Sequence, residues 1–205
     1  MREFSALFPG ARPIIIMRRQ DEWVASQYRR FVKSGYAFTF NAFFTPKNDS
    51  GFWEREWLRY MGNIEILEKY FENKPLVLFY DELRKNPEQF IRQLADYTGA
   101  EVNMNKINLS PRHTSYNEKQ LRVIYTLGKK VSMVKRKPSA SKTINVFLNL
   151  GRNILRYTTL FFAPLIPNSW LSKDIFLPEP GQLAAVKKYF SKDWEECREY
   201  AKQNN

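Results

Sequence analysis

The chain reads as an α/β protein, a parallel sheet flanked by helices, and three observations predict it. Pro13 is followed by Ile14, Ile15, Ile16 and Met17, and Pro75 is followed by Leu76, Val77, Leu78 and Phe79. Runs this apolar leave no wet face, as strands covered on both sides require. Each run then passes into a segment with helical spacing and its own start and stop residues.

Taken in order, the first strand ends at Arg18. Ligands of such sheets sit beyond the carboxyl ends of the strands. A guanidinium placed there offers a planar donor fork to phosphate oxygens. Asp21 can cap the helix that follows, Val24, Tyr28, Phe31 and Val32 form its apolar stripe, and Gly35 ends it. Ser26 falls early in this helix and off the stripe, which leaves its hydroxyl able to face the strand end. A plainer reading fits the same residues: Arg18 and Arg19 flank a strand, and Ser26 is a solvated helix position.

Trp53, Trp57, Tyr60, Met61, Ile64, Leu67 and Phe71 recur at three and four residues, which predicts a helix packed on the sheet. The second strand ends in Tyr80, Asp81, Glu82 and Leu83. Asn86 suits an N-cap, Pro87 the first helical position, Phe90, Ile91, Leu94 and Tyr97 a buried face, and Gly99 the stop. Residues 110–117 gather polar groups in a loop, Asn117 caps a further helix, and residues 135–142 read as a flexible linker. Residues 144–157 mix apolar and polar residues at helical spacing and read as a core helix. An irregular loop broken by Pro164 and Pro167 follows it, and an interfacial membrane anchor is the alternative for the pair. Leu183, Val186, Phe190, Cys197 and Ala201 predict a last core helix, with Pro180 near its start.

Arg18, Ser26 and the Tyr80 segment together resemble the sulfotransferase family that uses 3′-phosphoadenosine 5′-phosphosulfate, over the first half of the chain. In that family a strand-end arginine and a serine eight positions later hold the 3′-phosphate, and Arg18 and Ser26 match the spacing. A Tyr-Glu-Asp-Leu-like sequence closes a later strand with its tyrosine near the adenine, where Tyr80 stands. Bacterial members carry an Asn-x-Ser-like loop near the nucleotide, and Arg112 with Ser115 stands in that place. The resemblance implies a P-loop-NTPase-like sulfotransferase fold, 3′-phosphoadenosine 5′-phosphosulfate as co-substrate, no metal, and transfer of a sulfuryl group to a hydroxyl or amine acceptor.

The chain departs from the family in having Arg19 and Gln20 where many members have asparagine and proline. No Lys-Ser/Thr-Gly-Thr-like loop for the 5′-phosphosulfate precedes Pro13, so the expectation is an N-terminally truncated domain that binds nucleotide weakly and turns over little. His113, the single histidine, reads as a loop residue, because the family's base lies upstream of the arginine strand. The catalytic residues stay unassigned.

Charge locates a second surface. Between residues 119 and 173 there are eleven lysines and arginines and no aspartate or glutamate, nearly the whole of the net charge of +12. A field of one sign attracts polyanions. The expected partners are an acidic glycan acceptor, given the basic and aromatic composition, and a peripheral membrane contact; nucleic acid is not expected. One cysteine permits no internal disulfide and offers no metal cluster, and no apolar run is long enough to span a bilayer. A cytoplasmic protein, peripheral to the inner membrane face, is the expected location.

At this length one domain is expected. It comprises a nucleotide-binding core (residues 1–118), a basic, partly amphipathic acceptor-side region (119–173) and a C-terminal helix (174–205). The reading of another class is a non-enzymatic basic module that binds an anionic glycan or membrane surface.

Overall fold

The computed structural model describes residues 2–109, 116–130, 141–174 and 176–205. The described chain is mostly helical with a small parallel sheet of two strands, an α/β protein in the general sense. In chain order its elements are α1 (Arg2–Leu7), β1 (Ile14–Met17), α2 (Gln20–Lys33), α3 (Phe40–Phe43), α4 (Tyr60–Tyr70), β2 (Leu76–Phe79), α5 (Tyr80–Lys85) and α6 (Pro87–Thr98). Then follow α7 (Glu118–Lys130), α8 (Lys142–Phe162), α9 (Pro180–Tyr189) and α10 (Ser191–Asn204). They form two compact units, one drawn from residues 1–23, 54–112 and 184–205, the other from residues 24–53 and 113–183.

The first unit is built around the sheet. β1 and β2 run parallel, with Ile14 opposite Leu76 and Met17 opposite Phe79. Val77 and Phe79 pack with Ile64 of α4 and with Cys197 and Ala201 of α10. Leu76 and Leu78 point to the other face and pack on Phe90, with Leu94 and Tyr97 of α6 beside them. β2 is thus buried along its whole length, as its composition predicts. The side chain of Asn205 accepts a hydrogen bond from Val77 N (3.1 Å) and donates one to Val77 O (2.6 Å).

β1 corrects the expectation of a strand with no wet face. Ile15 and Met17 join the core shared with α4 and α10, but Ile14 and Ile16 remain 38% and 52% exposed. The reason is the narrowness of the sheet: it has two strands, and α6 packs on β2.

Locally coded features form as the sequence predicts. Asn86 Oδ1 accepts from Gln89 N (3.1 Å) at the start of α6, Pro87 opens the helix, and Gly99 closes it at φ 72°. In α2, Val24, Tyr28 and Val32 are buried and Gly35, at φ 91°, follows the helix end. Asp21 does not cap α2: the helix begins at Gln20, and the Asp21 carboxylate is taken by Arg19.

Two predicted helices are each interrupted. The 53–71 stripe divides into a 3-10 turn (Arg55–Leu58), which leaves Trp57 exposed, and α4. Asp193 fixes the start of α4 by accepting from Tyr60 N (3.0 Å) and Met61 N (3.1 Å). The C-terminal stripe divides at Phe190 into α9 and α10, and its apolar residues Val186, Phe190, Cys197 and Ala201 are all buried.

The second unit has an aromatic core. Tyr28 meets Phe40 and Phe43 at 5.4 and 5.3 Å between ring centroids, and Phe31 meets Phe43 and Phe52 at 5.0 and 4.9 Å. α7 lies against the end of α2 so closely that a Cβ on Gly128 would stand 2.5 Å from Gly35 O. Residues 163–171 pack as an irregular loop through Ala163 and Leu171, which meet Val123. Of the predicted linker, residues 135–140 lie outside the described residues, and the Ser141 side chain caps α8. α8 itself is not a core helix. Its polar side is half-buried against the unit, and Leu160 is the one buried residue among those described in it.

Candidate functional site

The strand register brings two of the sequence-predicted residues together. Because Met17 pairs with Phe79, Arg18 and Tyr80 leave the sheet at the same level, beyond the carboxyl ends of both strands. The Arg18 guanidinium carbon lies 5.1 Å from the centre of the Tyr80 ring, within cation–π range. Tyr60 of α4 donates its hydroxyl to Arg18 O at 2.9 Å, which anchors the arginine backbone to the core. Burial raises the pKa of that tyrosine, so it remains a neutral donor.

Arg18 is half-committed. Its Nε donates to Glu22 Oε2 at 3.3 Å, one helical turn ahead, while Nη1 and Nη2 bond to no described residue. Both terminal nitrogens of the fork therefore stay available to an oxygen ligand. Arg19 is engaged on one edge, through Nε to Asp21 Oδ1 (2.7 Å) and Nη2 to Glu22 Oε1 (3.2 Å). The Asp21 hydrogen bond is the main cause that holds its pKa above the ordinary arginine value.

α10 contributes a residue that the sequence does not single out. Arg198 lies 3.9 Å above the Phe79 ring and 5.3 Å from Trp194, donates to Glu82 Oε1 at 2.7 Å, and approaches Asp81 Oδ2 at 3.8 Å. Its place one turn after Trp194, on a helix read as core, does not set it apart in the sequence. With Arg18, Arg19 and Arg198 set against Asp21, Glu22, Asp81 and Glu82, the strand ends carry one more carboxylate than guanidinium. Glu22 occupies Nε alone, so the open Nη1 and Nη2 of Arg18 sit within a cluster of net negative charge rather than in a bare positive pocket.

A cleft of about 520 Å³ opens beside this cluster. Phe79, Glu82 and Arg198 form one part of its lining, and Lys85, Gln89 and Lys202 another; Arg18 and Tyr80 do not line it. Ser26 lies half-buried in the second turn of α2, in the part of that helix assigned to the other unit. Arg112, Ser115 and His113 lie outside the described residues. Among the described residues no group of three or more His, Cys, Asp and Glu is placed to hold a metal ion, and no helix is long and apolar enough to cross a membrane. No protein-family model, curated protein or solved structure matches the chain.

Proposed function

We propose that this chain is a sulfotransferase domain of the family it resembles, taking the sulfuryl group of 3′-phosphoadenosine 5′-phosphosulfate to a hydroxyl or amine of a glycan. The observation that carries the reading is the pair at the strand ends: an arginine with two open fork nitrogens, set over a tyrosine ring, at the same level of adjacent parallel strands. Arg18 holds the 3′-phosphate through Nη1 and Nη2, and Tyr80 offers an aromatic face to the adenine. Ser26 is the position that the resemblance couples to Arg18.

In the reaction, the acceptor oxygen or nitrogen attacks sulfur in line, the bond from sulfur to the phosphate oxygen breaks, and the acceptor proton passes to a base. Such transfer is mostly positioning and charge stabilisation. Arg18 acts on the remote phosphate and supplies binding energy and register, and does not touch the sulfur.

Calorimetry with 3′,5′-adenosine bisphosphate tests this. Wild type binds, and Arg18→Ala weakens binding by about ten- to a hundredfold, the range of a lost charge-assisted hydrogen-bond pair. Glu22→Gln tightens binding severalfold, because it removes a negative charge beside the site of the phosphate. No binding by wild type, or equal binding by Arg18→Ala, rejects the nucleotide reading.

A further inference from the structure

α8 is amphipathic, but inverted with respect to its own unit. At roughly 100° per residue, its apolar positions cover an arc of roughly 200° and its polar positions the remainder. The polar arc is the one turned inward: Asn145, Asn149, Arg152 and Arg156 are half-buried, beside the buried Leu160. The apolar arc faces outward in two adjoining rows. Ile144, Leu148, Leu155 and Phe162 form one, and Phe147, Leu150, Ile154, Tyr157 and Phe161 the other, every one of them exposed. Phe147 is 68% exposed and Phe161 77%. Past the helix, Leu165 and Trp170 are 77% and 72% exposed as well.

Continuous apolar surface of this extent marks a binding face, and charge selects what covers it. The segment from 119 to 173 contains no carboxylate. Exposed Lys130 and Lys173 make no ion pair among the described residues. A second copy of the chain brings the same positive field to the contact and is repelled. An acidic glycan answers the charge but has no use for two rows of aliphatic and aromatic side chains. A lipid surface with anionic headgroups satisfies both.

We propose that α8 lies in the plane of an anionic phospholipid surface, with its outward arc and the Leu165 and Trp170 side chains among the acyl chains and exposed lysines of the 119–173 segment at the headgroups. The helix spans ~30 Å at ~1.5 Å per residue. It is not apolar enough to cross a bilayer, so an in-plane position uses its width rather than its length. This inference is independent of the nucleotide reading, since it involves neither Arg18 nor Tyr80.

The test is flotation of the full chain with vesicles of phosphatidylcholine and phosphatidylglycerol at about 3:1, against vesicles of phosphatidylcholine alone. Wild type floats with the anionic vesicles, several times less with the neutral ones, and less again as salt rises to about 0.5 M. Phe147→Glu with Phe161→Glu changes two exposed side chains, so circular dichroism and the melting temperature stay as in wild type, while flotation falls at least tenfold. Failure of wild type to float overturns the proposal, as does equal flotation of the folded double variant or of wild type with neutral vesicles. A dimer by light scattering that the double variant dissociates, without flotation, assigns the face to a second copy instead. Retention on an acidic glycan column without flotation assigns it to a glycan, and the proposal fails in both cases.

Discussion

Asp193 ties three segments of the first unit together. Its carboxylate accepts from Tyr60 N and Met61 N at the start of α4 and from the buried Gln20 side chain at 2.7 Å. Asp193→Ala leaves all three donors without this acceptor, and a loss of about 2 kcal/mol or more in denaturant unfolding is expected. Burial raises the Asp193 pKa, and the two backbone N–H donors only partly oppose it. The folded state therefore holds the proton more tightly than the unfolded chain does. The stability that this group contributes is complete below the unfolded carboxyl value, about 4, and is lost as pH rises through the higher folded value. Asp193→Asn, which cannot titrate, removes that slope. An unchanged pH profile of the melting temperature in Asp193→Asn shows that the group does not titrate with folding.

At the scale of elements, α2 and α7 meet with no room between backbones. A methyl at position 128 lands 2.5 Å from the Gly35 carbonyl oxygen, which belongs to backbone and cannot swing aside. Gly128→Ala is expected to cost about 1–3 kcal/mol through overpacking, although alanine is the better helix former. A gain in melting temperature in that variant would show that the two helices move apart at no cost. The elements also show which features the sequence makes legible. The Asn86 cap, Pro87 and the Gly99 stop act within one turn of chain, and the two apolar runs form strands as their composition predicts, although β1 keeps an exposed face. The break before Tyr60 is not legible, since the carboxylate that starts α4 comes from more than a hundred residues away. Nor is the outward turn of α8: its periodicity fixes that one side is apolar, and only the packed unit decides which side faces in. At the strand ends Arg18 and Tyr80 are readable from position after an apolar run. Arg198 is not, because its role arises from α10 lying across Phe79.

At the scale of the molecule, Cys197 reports on the integrity of the first unit. It is fully buried beside Val77, Phe79 and Ile64, and burial pushes its thiol up to about 12. A thiol reagent at neutral pH finds neither access nor thiolate. Labelling is expected to follow the unfolding of this unit, with a rate that rises with denaturant in step with loss of tertiary signal. Labelling at the free-cysteine rate in native buffer would mean that α10 detaches on its own.

The composition of that unit from residues 1–23, 54–112 and 184–205 has a consequence for how the chain is made. β2 and α6 emerge from the ribosome long before α10, which covers Val77 and Phe79. At about 5–20 residues per second the wait is on the order of ten seconds. Throughout it, one face of the sheet is greasy, uncovered and tethered to a translating ribosome. A nascent chain in that condition is a natural client for a holding chaperone.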